Sequence, residues 1–190
     1  MEASSLSTLR TGFLALFLSL CTLVPAHAAC DDTASISGQI CKRLTDTWNE
    51  GEHDLYLPFH TFHLPYAYSD EAINTYRENT WGLGYGRSRH DESGSWNGLY
   101  GMLFLDSHSK LQPIVGYGHQ WLWGPREGLH AGLGYTVFVT ARADIRSYTP
   151  IPAVLPIASI NYGKVAVNAA FMPGGMGFGN ILFLWGRVGF

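Results

Sequence analysis

Four residues scattered along the chain have the side chains that acyl transfer requires: His63, Asp106, Ser107 and Arg142. A hydroxyl such as that of Ser107 is a weak nucleophile until a base takes its proton, and an imidazole titrates in the useful range. A carboxylate can orient that imidazole. A guanidinium can grip a phosphate with two parallel hydrogen bonds. Each residue also has a plainer reading. The run Asp106-Ser107-His108-Ser109-Lys110 makes a good turn, Arg142 with Asp144 makes an ordinary surface pair, and His63 can be a solvated polar residue. Triads are defined by geometry rather than by ingredients, so the question passes to the elements that carry these residues.

After Gly51 the chain breaks into eight short segments: Leu55–Tyr66, Trp81–Arg89, Trp96–Ser107, Gln112–Leu122, Leu129–Thr140, Ala153–Tyr162, Val165–Met172 and Asn180–Phe190. Turn formers separate them, among them Asp91-Glu92-Ser93-Gly94, Trp123-Gly124-Pro125 and Pro173-Gly174-Gly175. None reaches the roughly 20 apolar residues of a membrane helix. The length, the even number and the alternation suit strands of an outer-membrane barrel, with one parity facing lipid and the other the lumen. In the fifth segment Leu129, Ala131, Leu133, Tyr135, Val137 and Val139 form one unbroken apolar face. A soluble sandwich or lipocalin-like barrel would carry polar residues there. In the fourth, Ile114, Gly116, Gly118 and Gln120 share the inward parity, while Val115, Tyr117, His119 and Trp121 point to lipid, with His119 in the interfacial girdle. Phe190 closes the last segment, a terminal aromatic of the kind that outer-membrane assembly recognises.

The beginning of the chain fits an exported protein. Arg10, the apolar run Phe13–Val24 and the site Ala26-His27-Ala28 form a secretory signal over residues 1–28, so that the barrel domain occupies 29–190. Cys30 is not a lipidation site, because His27 stands where a lipobox wants Leu. Cys30 and Cys41 remain after cleavage, an even count that suggests a disulfide in an exported protein, with two free thiols as the other possibility. Ile36, Ile40, Leu44 and Trp48 recur every four residues and predict an amphipathic helix within 29–50, lying in the membrane interface or packed on a soluble core. Charged residues make up 14% of the chain, aromatics 14%, and there are 22 Gly. The charge content is below the roughly 25% of soluble domains. A net charge of −3 offers no basic surface for nucleic acid.

Topology brings the chemistry together. With eight antiparallel strands both termini lie on the periplasmic side, and the odd strands end at the outer rim. His63, Asp106, Ser107 and Arg142 all stand at or just beyond the ends of odd strands.

These residues also carry a resemblance. The stretch Asp54-Leu55-Tyr56-Leu57-Pro58 with Thr61-Phe62-His63 resembles the first strand of the lipid A palmitoyltransferase family. The runs Trp81-Gly82-Leu83-Gly84, Gly98-Leu99-Tyr100, Phe104-Leu105-Asp106-Ser107, Pro113 to Gly118, Gly132 to Thr136, Val139 to Arg142, Pro152 to Ser159 and Phe171 to Gly174 continue it in order. The resemblance spans the whole mature chain. It implies an eight-stranded antiparallel transmembrane β-barrel preceded by a short amphipathic helix, in the bacterial outer membrane, acting as a monomer without cofactor or metal. It implies transfer of a palmitoyl chain from the sn-1 position of a glycerophospholipid to a hydroxyl on a lipid A acyl chain. His63, Asp106 and Ser107 match the family's functional residues, and Gly118 matches the floor of its acyl pocket, in agreement with its inward parity. Arg142 is the candidate phosphate contact.

The resemblance further implies that prolines at Pro58, Pro156 and Pro173 thin the ladders so that lipids enter sideways, since Pro has no N–H to donate. Here Thr80 replaces a proline usual before Trp81. Two other functions stay in view. An outer-membrane phospholipase or lipid A deacylase would use similar residues with water as acceptor. A structural or adhesive barrel would fill its lumen with a polar network, whereas the inward faces here carry Gly, Thr and Phe.

Overall fold

Period-two alternation allows a strand to bury one face and offer the other to lipid only if its backbone hydrogen bonds close on themselves. The computed structural model, which describes residues 30, 34–125, 127–145, 147–175 and 179–190, meets that demand with eight strands: β1 (Glu52–His63), β2 (Gly82–His90), β3 (Trp96–Leu105), β4 (Leu111–Trp123), β5 (Leu129–Thr140), β6 (Ile151–Tyr162), β7 (Val165–Met172) and β8 (Ile181–Gly189). Each pairs antiparallel with its neighbour, and β8 closes on β1. The expected leader, residues 1–28, and Ala29 lie outside the described residues.

The predicted helix is α1 (Ile36–Glu50), and Cys30 and Cys41 are joined by a disulfide. Trp48, near the C-terminal end of α1, is exposed, as an interfacial anchor would be. The end of α1 is held to β2: Arg89 pairs with Asp46 at 2.9 Å and Glu50 at 3.3 Å, and Arg87 Nη2 donates to the Gly51 carbonyl at 2.7 Å.

Lipid-facing parity is as expected in β5, where Leu129, Leu133, Val137 and Val139 are exposed and His130, Thr136, Phe138 and Thr140 are buried. His119 departs from expectation. It has the outward parity, yet it is only 6% exposed. Its Nδ1 lies 3.0 Å from Asn97 Oδ1, and its ring meets Trp121 edge-on at 5.0 Å. A polar ring on the lipid side is stable there because a neighbouring amide satisfies it and a tryptophan covers it.

The lumen has two layers. Towards the rim far from the termini, Tyr56, Tyr100, Met102, Phe104, Ile114, Phe138, Ile157, Ala170 and Trp185 form one apolar cluster. Towards the termini the filling is polar. Arg187 pairs with Asp54 at 3.1 Å and lies 5.0 Å over the Trp96 ring, while Gln120, Ser159 and Asn161 form a hydrogen-bonded chain. The expectation of a lumen without a polar network therefore holds for the upper half alone. Asp54 and Arg187 stand 133 positions apart in sequence, and only closure of β8 on β1 makes them neighbours.

Two ladders are incomplete in the upper half. Between β1 and β2 the register ends at Tyr56↔Gly84, and between β6 and β7 at Ile157↔Ala170. Pro58 and Pro156 lie just past these ends, where no N–H is available to extend them. The connection between β1 and β2, residues 64–81, carries a 3-10 turn (Pro65–Ala67) and a short helix α2 (Asp70–Ile73) that the alternation did not predict.

Candidate active site

His63 is the last residue of β1, and Ser107 opens the turn between β3 and β4. Closure of the barrel brings the two together: Ser107 Oγ lies 3.3 Å from His63 Nε2. His63 is buried between two rings from the β1–β2 connection, with Tyr76 stacked on it at 4.5 Å and 7° and Tyr68 edge-on at 5.3 Å. Tyr68 is itself anchored by donating its hydroxyl to the Gly179 carbonyl. The connection also fixes the serine, because Arg77 N donates to the Ser107 carbonyl at 2.9 Å.

Asp106 sits beside this pair without touching the imidazole. Its Oδ1 accepts from His108 N at 2.9 Å and Lys110 N at 2.8 Å, so it caps its own turn. Oδ2 is buried without a hydrogen-bond partner among the described residues. On the other side of His63, Glu78 Oε1 comes within 3.7 Å of Nδ1, and that nitrogen has no hydrogen bond among the described residues.

Arg142 follows β5 and forks onto Asp144, with Nε–Oδ1 at 3.0 Å and Nη2–Oδ2 at 2.9 Å. The hydrogen bond to Asp144 raises the already high Arg142 pKa, and the same bond holds the Asp144 carboxyl below the usual carboxylate range. The surface pair is therefore present, and a phosphate would meet a guanidinium with Nη1 still unengaged by protein among the described residues.

Two cavities meet at these residues. One runs into the apolar layer past Asp106, Ser107 and Arg142, between Met102, Phe104, Ile114, Phe138, Leu155 and Phe183, as far as Tyr100, Thr136 and Trp185. It is slender, with a volume of about 60 Å³. The other, about 390 Å³, is wider and carries the charged and aromatic side chains His63, Tyr68, Tyr76, His108, Arg142 and Asp144 in its wall. Ser107 and Arg142 belong to both. Such a junction can hold an apolar chain in one arm, a polar head in the other, and a hydroxyl with its base between them.

Gly118 faces inward from β4, paired with Thr136 of β5. A β-carbon there would lie 2.9 Å from Cζ3 of Trp96 and 3.6 Å from Cδ1 of Ile157. The Trp96 indole thus rests against Gly118, and also against Gly98, at the base of the apolar layer. The structure brings His63, Ser107, Asp106 and Arg142 to one rim and sets Gly118 well below them. Reading the sequence missed Glu78, Tyr68 and Tyr76, because they lie in an irregular connection where no periodicity assigns a facing. The only sequence signal was a run of aromatic and charged residues between two strands.

Comparison with known proteins agrees with this architecture. Residues 43–187 match the family model for the antimicrobial peptide resistance and lipid A acylation protein PagP. A lipid A acyltransferase PagP of Methylobacillus flagellatus is 54% identical over 182 residues, covering 96% of this chain and 99% of the relative. That of Bordetella parapertussis is 47% identical, covering 92% and 94%, and that of Cronobacter sakazakii is 41% identical, covering 97% and 100%. With a matching family model over most of its length and relatives aligned almost from end to end, the chain belongs to the PagP family.

Proposed function

We propose that this protein is an outer-membrane acyltransferase that moves a palmitoyl chain from the sn-1 position of a glycerophospholipid to a hydroxyl on an acyl chain of lipid A. The observation that carries the reading is the 3.3 Å approach of Ser107 Oγ to His63 Nε2 at the mouth of a slender apolar cavity. The names of the relatives, lipid A acyltransferases, support the substrate class. In the reaction the ester bond of the donor breaks and an ester to the acceptor hydroxyl forms. His63 Nε2 takes the proton of the attacking hydroxyl and returns it to the departing glyceryl oxygen, so that the lysophospholipid leaves neutral at that position. The apolar arm holds the acyl chain, with Gly118 and the Trp96 indole on it forming the floor, and Arg142 contacts a phosphate at the rim. A single chain closes all eight strand pairs, which supports action as a monomer. The exposed apolar band and the expected leader support export to the outer membrane.

Mass spectrometry of lipid A from cells with and without the gene tests the assignment. One added palmitoyl group in the presence of the gene is expected, and release of free fatty acid with unmodified lipid A would instead indicate a lipase. Purified His63→Ala should migrate as a folded, heat-modifiable barrel while losing roughly 10²–10⁴-fold in rate, the usual worth of general acid–base work. Near-normal transfer by that variant would remove the histidine from the mechanism.

A further inference from the structure

The two ring nitrogens of His63 have different surroundings. Nε2 faces the Ser107 hydroxyl at 3.3 Å. Nδ1 is buried and lacks a hydrogen bond among the described residues, which is costly for a polar atom out of water. Its carboxylate neighbour is Glu78, with Oε1 at 3.7 Å. The same oxygen accepts from the His63 backbone N–H at 3.4 Å. Asp106 follows the chain order of a triad, but its Oδ1 is engaged by the amides of its own turn, and its Oδ2 makes no hydrogen bond among the described residues, to the imidazole or any other group.

Glu78 is also held firmly. Its carbonyl accepts from Thr61 N at 2.7 Å, and the residue before it, Arg77, donates its N–H to the Ser107 carbonyl at 2.9 Å. One short stretch of the β1–β2 connection therefore sets the serine on one side of the imidazole and the carboxylate on the other. Tyr76, stacked on the ring at 4.5 Å, limits its tilt.

We propose that Glu78, and not Asp106, is the positioning residue of His63, accepting the Nδ1 proton and so leaving Nε2 free to take the proton of the attacking hydroxyl. The inference rests on the reading above that His63 is the base of acyl transfer. A carboxylate at one nitrogen fixes the tautomer and supports the imidazolium that forms as the hydroxyl is deprotonated. A separation of 3.7 Å is longer than a hydrogen bond, and such contacts commonly tighten when substrate enters. The plainer role for Glu78 is structural, as a partner of His60 Nε2 at 3.8 Å and a brace for the strand end.

A pH profile separates the two. The other titratable or charged groups around the ring are His60 on β1, Tyr68 and Tyr76 on the connection, Asp106 and His108 on the β3–β4 turn, and Arg142 with Asp144 across the wider cavity. All are unchanged in Glu78→Gln, which keeps the side-chain length and an acceptor for the His63 amide. The full-length protein, folded in detergent, is assayed with phospholipid donor and lipid A acceptor alongside His63→Ala. The expected result is a loss of roughly ten- to a hundredfold in kcat, below the 10²–10⁴ of the whole base, with KM for the donor unchanged. The acid limb of kcat/KM should also move to lower pH. Sign: a nearby carboxylate favours the protonated ring, so its removal lets the ring lose its proton at lower pH. Glu78→Asp, which draws the oxygen back by one methylene but keeps the charge, should give an intermediate kcat; it reads the same point if the Gln variant does not fold. Wild-type kcat in the folded variants, or a loss with the acid limb unmoved, overturns the inference. If His63→Ala itself stays active, the reading of the base fails instead.

Discussion

Asp106 commits one carboxylate oxygen to its own turn, where Oδ1 accepts from the amides of His108 and Lys110 at 2.9 and 2.8 Å. The other oxygen is buried in the wall of the apolar cavity with no partner among the described residues. A bare carboxylate oxygen in a water-poor cavity is expensive, and such groups concentrate where chemistry needs them. Asp106→Asn keeps an Oδ1 acceptor for the turn and removes the charge. The expected outcome is a barrel of unchanged stability with turnover reduced by roughly tenfold or more, about 1.4 kcal/mol in the barrier, read by single-variant kinetics beside a thermal or denaturant melt. A loss of stability with normal turnover would reduce Asp106 to a turn cap. His63, Asp106 and Ser107 were legible in the sequence because each stands at a strand end, and antiparallel topology fixes which rim a strand end reaches. Glu78 was not legible. It lies in residues 64–81, where the backbone has neither period, and its approach to Nδ1 depends on two backbone hydrogen bonds that no pattern encodes.

Strands were read nearly to the residue where alternation is strict, as in β5 (Leu129–Thr140) and β7 (Val165–Met172). The first strand was read too late at both ends. It starts at Glu52, since Glu52 pairs with Ser88, and it stops at His63 before Pro65. The interrupted ladder between β1 and β2 bears on the missing proline at position 80. Where a proline would leave the edge bare, Thr80 is 1% exposed and its hydroxyl lies 3.0 Å from that of Thr61. A side-chain bond thus spans a gap where the backbone ladder has ended. Removing one partner leaves a buried hydroxyl unsatisfied, at a cost of about 1–3 kcal/mol, whereas removing both can be nearly neutral. Thr80→Val and Thr61→Val should therefore each destabilise the barrel, and the double variant should recover most of the loss, giving a coupling energy of about 0.5–3 kcal/mol in a double-mutant cycle. Additive losses would mean that the two hydroxyls act independently and that the Thr61–Thr80 contact does not tie the opening.

The whole barrel is a vessel with a polar base and an apolar upper half, and that division makes a measure of chain length possible. The Asp54–Arg187 pair and the hydrogen-bonded Gln120, Ser159 and Asn161 lie in the lower lumen, where they would limit the reach of a methylene chain entering from the rim. Trp96 covers that base, with Arg187 5.0 Å from its ring on one side and Gly118 against it on another. The parity of β4 was enough to place Gly118 inside, but it could not show that an indole, rather than open space, lies against it. A β-carbon at Gly118 would stand 2.9 Å from Trp96 Cζ3, closer than packing allows, so the ring must give. Arg187 lies 5.0 Å from it on another side, and a ring pushed into the apolar layer would shorten the space left for a chain. Gly118→Ala should raise the floor slightly and Gly118→Met by more, each shortening the preferred acyl donor. Each buried methylene is worth about 0.8 kcal/mol, or about fourfold in preference, so a floor raised by two carbons should shift selectivity roughly tenfold or more. The measurement is competition among phospholipid donors of graded acyl length. A preferred length that falls as the side chain grows supports a ruler acting through the indole. An equal loss for every donor, with the optimum unmoved, would mean that Gly118 only eases the packing of β4, and that the length limit is set elsewhere in the lumen.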